Sequence, residues 1–81
     1  MAGSIINTGT VIGKHSIINT RATIDHDNII KDFVNISPTV VTGGTVTIND
    51  ECDIGIGAII KNNITISSNV VIGGNSFVNK N

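Results

Sequence analysis

The sequence predicts an all-β protein, built as a parallel β-helix from short repeated strands. The 81 residues include 17 Ile, 8 Val and 9 Thr but no Leu, Trp or Tyr, and β-branched side chains favour extended backbone over helix. An aliphatic residue returns every six positions, with Gly, Asn, Asp and Ser frequent between them. So small a domain buries only about 60% of its unfolded surface. Stacked repeats would give it one continuous core.

The repeat is defined by one aliphatic position in every six residues. Twelve of the thirteen positions carry Ile or Val, and the exception is Thr42. The residue four positions further on is a small one (Ala, Ser, Thr, Cys or Val) in ten of twelve hexads, with Asn28 and Ile64 as departures. We expect both series to point inward. The aliphatic series is Ile6, Ile12, Ile18, Ile24, Ile30, Ile36, Thr42, Ile48, Ile54, Ile60, Ile66, Ile72 and Val78.

Each hexad is interpreted as a three-residue strand followed by a three-residue turn. The strand places the small residue inward, the next residue outward and the aliphatic residue inward. The residue after the aliphatic one is often Gly or Asn, as at Gly13, Asn19 and Gly43, and we expect it to take positive φ. Three hexads complete a triangular coil of 18 residues, so residues 6–77 form about four coils without inserted loops.

The chain is expected to be one domain with short ends. Residues 1–5 are interpreted as a leader or an incomplete first coil, residues 6–78 as the repeat, and residues 79–81 as a tail. Nothing at either end resembles a cap, although exposed strand edges need protection. We therefore expect the chain to be part of a larger protein.

Composition disfavours several classes of function. A net charge of −1 and two aromatic residues are not typical of a nucleic-acid-binding surface. We expect neither a membrane span nor a signal peptide, and a cytoplasmic location. The single cysteine, Cys52, is expected in the core and excludes an internal disulfide. Two histidines in different columns of the coil do not favour a zinc site, and no metal is expected.

His26 is the candidate general base. Residues 24–27 read Ile-Asp-His-Asp, and the period places His26 in the middle of a turn, outside the prism. Asp27 follows it directly. An imidazole held by a carboxylate is a good general base near neutral pH. A solvated turn histidine without a catalytic role is the alternative that this short motif leaves open.

Together with the neighbouring residues, this turn resembles the hexapeptide-repeat acyltransferases. Residues 18–27 and 32–38, the latter reading Asp-Phe-Val-Asn-Ile-Ser-Pro, are similar to the branch of sialic-acid O-acetyltransferases and UDP-4-amino-sugar N-acetyltransferases. The resemblance covers about residues 5–78. It implies a left-handed β-helix and a homotrimer with active sites between neighbours. It also implies acetyl-CoA as the acyl donor and a hydroxyl or amine of a sugar or sugar nucleotide as the acceptor.

The resemblance also implies roles for individual residues. His26 matches the general base, Asp27 the carboxylate that orients it, and Asn19 an asparagine close to the acceptor. The branch usually has histidine where this chain has Asn35, so Asn35 is expected to contact the substrate only as a neutral hydrogen-bonding group. Gly44 follows His26 by 18 residues, and its N–H is expected to face the thioester carbonyl.

Two glycine-containing segments are further candidates for binding acetyl-CoA. Gly55, Ile56 and Gly57 are expected to line the acetyl-CoA groove, although turn and packing roles explain them equally well. The Gly43–Gly44 pair admits close approach of the pantetheine chain or, alternatively, a turn with positive φ.

Outward residues sort onto three faces of the prism. Much of this surface is apolar, which favours a partner surface such as the trimer interface. Retention of β-branched residues for strand propensity is the alternative. The faces are Val11, Ile29, Thr47 and Thr65; Ile17, Asn35, Asp53 and Val71; and Thr23, Val41, Ile59 and Phe77.

Together with the residues at His26, the resemblance therefore implies an acetyl-CoA-dependent acyltransferase domain. An inactive, truncated β-helix that acts as a structural or trimerisation module is the main alternative. An ice-binding solenoid would require a complete threonine ladder, and only Thr47 and Thr65 are adjacent on one face.

Overall fold

The computed structural model describes residues 4–80 as a succession of two-residue strands and two-residue turns. Each strand consists of one outward and one inward residue. It is one residue shorter than expected, since the small inward residue lies just before it. The strands are β1 (Ile5–Ile6), β2 (Val11–Ile12), β3 (Ile17–Ile18), β4 (Thr23–Ile24), β5 (Ile29–Ile30), β6 (Asn35–Ile36), β7 (Val41–Thr42), β8 (Thr47–Ile48), β9 (Asp53–Ile54), β10 (Ile59–Ile60), β11 (Thr65–Ile66), β12 (Val71–Ile72) and β13 (Phe77–Val78).

The strands form three parallel sheets, one on each side of the coil. Sheet A has the order β1-β4-β7-β10-β13, sheet B β2-β5-β8-β11, and sheet C β3-β6-β9-β12. Pairing joins residues 18 positions apart, for example Ile24 with Thr42. Residues 4–80 therefore form an all-β, parallel β-solenoid of about four coils without an inserted loop. This confirms the predicted β-helix architecture, and the solenoid fits the left-handed class.

The two inward series fill the core of the prism. Ile24, Ile36 and Ile48 are fully buried, as are Val40 and Ala58 in the small series. Burial of one such isoleucine is worth roughly 1.5–3 kcal/mol. The predicted inward direction of both series is confirmed. Cys52 is a buried free thiol whose Sγ donates to the Ser67 carbonyl oxygen at 2.9 Å.

The turns stack into three corners of the prism. Corner 1 comprises residues 8–9, 26–27, 44–45 and 62–63, and corner 2 residues 14–15, 32–33, 50–51 and 68–69. Corner 3 comprises residues 20–21, 38–39, 56–57 and 74–75. The second residue of each turn has positive φ, and most of these residues are not glycine.

The predicted position of positive φ was therefore wrong by two residues. The residue directly after the inward aliphatic one still continues the extended strand. Its N–H joins the ladder to the next coil, as when Asn19 donates to the Ile36 carbonyl oxygen at 2.9 Å. The chain turns the corner only at the third residue after the inward aliphatic one, such as Arg21 with φ 61°.

The first coil begins before residue 6, because Ile5 pairs with Thr23 in sheet A. The rest of the predicted leader reaches into residues 1–3, which lie outside the described residues, as does residue 81 of the predicted tail. Residues 4–80 include no helix that is long and apolar enough to cross a membrane.

Candidate active site at corner 1

His26 and Asp27 form the turn of the second coil at corner 1. His26 Nδ1 lies 3.1 Å from Asp27 Oδ2. Because an ionised carboxylate only accepts hydrogen bonds, Nδ1 of the neutral imidazole carries the proton and Nε2 keeps its lone pair. The two side chains are 59% and 65% exposed. More than half of each side chain is therefore open to solvent in the single chain.

The far edge of the His26 ring lies against Gly44 on the next coil. A Cβ at Gly44 would collide with Nε2 and lie 2.5 Å from Cε1. Glycine is therefore required here for the close approach of the imidazole. Gly44 does not have positive φ, which belongs to Thr45 at 58°. The interpretation of the Gly43–Gly44 pair as a positive-φ turn was wrong.

Gly9 is a site residue that the sequence pattern did not single out. It lies at corner 1 on the first coil, where a Cβ would collide with Asp27 Oδ1 and lie 3.1 Å from its Cγ. The carboxylate thus occupies the space that Gly9 leaves, just as the imidazole occupies the space at Gly44. The spacing was available as a signal, since Gly9 precedes Asp27 by 18 residues.

Asn19, Asn35 and Asp53 form a hydrogen-bonded series between sheet C and corner 3. Asn35 Nδ2 donates to Asp53 Oδ1 at 3.2 Å, and Asn19 Nδ2 donates to Asn35 Oδ1 at 3.3 Å. Because a carboxylate only accepts, Asn35 must direct Nδ2 at Asp53 and Oδ1 at Asn19. Asn19 Nδ2 also donates to the Ile36 carbonyl oxygen at 3.0 Å. Asn19 therefore offers an acceptor, Oδ1, to a ligand.

Gly55, Ile56 and Gly57 lie at corner 3 on the third coil. Gly55 packs against the next coil, where a Cβ would lie 2.6 Å from the Gly74 backbone nitrogen. Gly57 has φ +72°. Packing and turn geometry thus account for both glycines, while the Ile56 side chain is exposed.

The predicted site residues lie on two sides of sheet A. His26 is brought together with Asp27 and Gly44 at corner 1, and Asn19 with Asn35 near corner 3. Within one chain these two groups remain apart, since strand Thr23–Ile24 runs between corners 3 and 1.

The other histidine, His15, lies at corner 2. Its ring stacks on Phe33 with centroids 5.2 Å apart and an interplanar angle of 17°. Among residues 4–80, no three His, Cys, Asp or Glu side chains converge as a metal-binding group.

Comparison of the chain with protein-family models, with curated proteins and with solved structures gave no match.

Proposed function

We propose that this chain is an acyltransferase domain that transfers an acetyl group from acetyl-CoA to a hydroxyl or amine of a sugar or sugar nucleotide. The observation that carries the proposal is the His26 imidazole, whose Nδ1 is bonded to Asp27 and whose Nε2 edge lies against Gly44. The resemblance of residues 18–27 and 32–38 to the sugar acetyltransferase branch supplies the substrate class.

In the proposed reaction His26 acts as a general base. The acceptor hydroxyl or amine gives its proton to Nε2 while its oxygen or nitrogen attacks the thioester carbonyl carbon. Asp27 stabilises the imidazolium that forms. The tetrahedral intermediate collapses with cleavage of the C–S bond, and the leaving thiolate of CoA takes the proton from His26. No acyl-enzyme forms.

Gly44 is the proposed donor to the developing oxyanion. Its N–H has no hydrogen-bond acceptor within residues 4–80. This N–H belongs to Gly44, against which the His26 ring lies. A thioester oxygen bound to the Gly44 N–H would therefore place the carbonyl carbon beside Nε2. A backbone donor held by the stacked coils needs no reorganisation during the reaction.

We further propose that a homotrimer completes the site. The His26–Asp27 pair is more than half exposed in one chain, whereas charge development is stabilised best where water is excluded. Sheet A, between corners 3 and 1, has an apolar outer face with Ile59 46% and Phe77 61% exposed. Corner 1 of one copy facing corner 3 of its neighbour would place Asn19 and residues 55–57 near His26.

A structural trimerisation module without activity is the second candidate. The apolar outer face of sheet A favours assembly whether or not chemistry follows. This candidate differs from the first in having no acyl transfer and no requirement for His26.

The test is release of free CoA thiol from acetyl-CoA in the presence of a panel of acceptors: sialic acids, hexosamines and UDP-4-amino sugars. We expect turnover with at least one acceptor, and a loss of about 10²-fold or more in His26→Ala. Acetyl-CoA binding should change little. His15→Ala is the matched control and should retain turnover. Equal rates in His26→Ala and wild type would exclude His26 as the base, and a trimer without turnover on any acceptor would favour the structural module.

A further inference from the structure

Two polar residues that break the inward repeat meet inside the prism beneath His26. Asn28 replaces a small residue and Thr42 replaces an aliphatic one. They are 0% and 1% exposed, and Thr42 Oγ1 donates to Asn28 Oδ1 at 2.7 Å. Burial of a polar side chain costs free energy unless its hydrogen bonds are made inside the protein. The other hydrogen bonds of this pair are made mainly to the backbone of the His26 turn.

The Asn28 amide ties the His26 turn to the coil that carries Gly44. Nδ2 donates to the carbonyl oxygens of Gly43 at 2.9 Å, His26 at 3.1 Å and Asp25 at 3.2 Å. Because carbonyl oxygens only accept, the amide nitrogen must face the turn and Oδ1 must face Thr42. The Asn28 side chain thus links the peptide groups before and after His26 to the next coil.

Thr42 holds the same turn from its other end. Its Oγ1 accepts the Asp25 N–H at 3.3 Å. At equivalent positions such as Asn19 and Lys31, the N–H donates to a main-chain carbonyl instead. The Asp25 side chain in turn accepts the His26 N–H at 2.7 Å. The Thr42 hydroxyl therefore connects the core to the backbone that carries His26.

The neighbouring turn at corner 2 shows that the fold does not need such a pair. The positions equivalent to Asn28 and Thr42 are there Val34 and Ile48, six residues further on, and both are buried. The turn that they support has a positive φ at its second residue like the His26 turn, 59° at Phe33 and 55° at Asp27. Apolar side chains thus suffice for the core and for a positive φ at the turn, so the fold itself does not require the polar pair.

We propose that Asn28 and Thr42 are positioning residues, which hold the His26 turn so that the imidazole stays over Gly44 with Nδ1 against Asp27. The hydrogen bonds above support this placement of the ring by holding the backbone that carries it. Its consequence for catalysis rests on the proposed acyl transfer.

The double variant Asn28→Val/Thr42→Val tests the proposal by NMR of the ¹⁵N-labelled chain. Long-range imidazole correlations report which ring nitrogen carries the proton, and His15 serves as an internal control. We expect the Nδ1–H form for His26 in wild type. In the double variant the His26 signals should move towards the Nε2–H form that is commoner in free imidazoles, while those of His15 stay unchanged.

Two further variants sharpen the test. Thr42→Ser keeps the hydroxyl and should retain the wild-type His26 signals. Ile48→Val, on the strand that precedes corner 2, trims the core and leaves Asn28 and Thr42 unchanged. We expect the double variant to fold with at least wild-type thermal stability, since both changes restore the repeat. Wild-type His26 and Gly44 signals in the double variant would overturn the proposal, and so would loss of its fold.

The kinetic readout separates this proposal from the proposed function. If the chain transfers acetyl groups, the double variant should lower kcat about ten- to hundredfold with little change in KM for acetyl-CoA. The NMR result needs no turnover, so absence of activity would leave the positioning role standing. Normal kcat in a double variant with altered His26 signals would overturn its catalytic consequence alone.

Discussion

Gly44 provides the simplest test of the site at the scale of a single residue. A methyl group there would collide with the His26 ring, while φ at this position suits any L residue. We expect Gly44→Ala to keep the fold, displace the imidazole and lower turnover by about 10²-fold. The measurement combines the acetyl-transfer rate with the NMR signals of the His26 ring.

Gly73→Ala is the matched control for this variant. A Cβ at Gly73 meets only Ser76 Oγ at 3.5 Å, an ordinary contact. We expect wild-type rate and signals from it. Wild-type behaviour of Gly44→Ala as well would contradict the close approach of ring and glycine.

Asp53 is expected to act on the acceptor through two amides. Without its carboxylate, Asn35 Nδ2 loses its acceptor, and the pair of amides keeps only the Ile36 carbonyl oxygen as an orienting partner. We expect Asp53→Ala to raise KM for the acceptor about fivefold, the equivalent of one hydrogen bond, with KM for acetyl-CoA unchanged. Glu51→Ala, an exposed acid at corner 2, is the control. An equal change in both KM values, or no change in either, would contradict the proposed action of Asp53 through the two amides.

At the scale of the element, the turn is governed by a positive φ at its second residue. Thr39 adopts φ 61°, which is unfavourable for a β-branched residue. We expect Thr39→Gly to raise the free energy of unfolding by up to about 1 kcal/mol. Thr47→Gly, on an extended strand, should lower it by about 1 kcal/mol. Urea denaturation measures both, and equal destabilisation of the two variants would contradict the assigned turn geometry.

The six-residue period was sufficient to predict the strands and the core. Inward and outward positions alternate along each strand, so the ladder from Ile6 to Val78 gives the register without further information. The positive-φ position was not predictable from residue type. It is occupied by residues such as His15, Arg21 and Glu51, because the closure of the coil sets the conformation there.

The site was predictable only in part, since some of its contacts depend on how coils stack. The His26–Asp27 pair is local, and the 18-residue spacing predicts that Gly44 lies beside His26. The same spacing relates Gly9 to Asp27, but a glycine in a turn does not by itself indicate a site. Asn28 and Thr42 are 14 residues apart in the sequence and meet across the core. The six-residue period places both residues inward, but it does not show which groups their side chains bind.

At the scale of the whole molecule, sheet A is the proposed trimer interface. A lysine within this face would place a charge in an apolar contact. We expect Ile59→Lys to convert an assembly of three 8.4 kDa chains into monomers in sedimentation equilibrium. Val71→Lys, on sheet C where Val71 is 76% exposed, should leave the trimer intact. A trimer that survives Ile59→Lys but not Val71→Lys would place the interface on sheet C.

Titration of acetyl-CoA into the ¹⁵N-labelled chain tests the central claim most directly. The proposed function predicts saturable shifts of the Gly44 amide and the His26 ring, with His15 at corner 2 unaffected. The expected change is largest at Gly44, because its N–H would gain a carbonyl acceptor. Absence of any shift at millimolar acetyl-CoA, or shifts confined to corner 2, would contradict an acetyl-transfer site at His26.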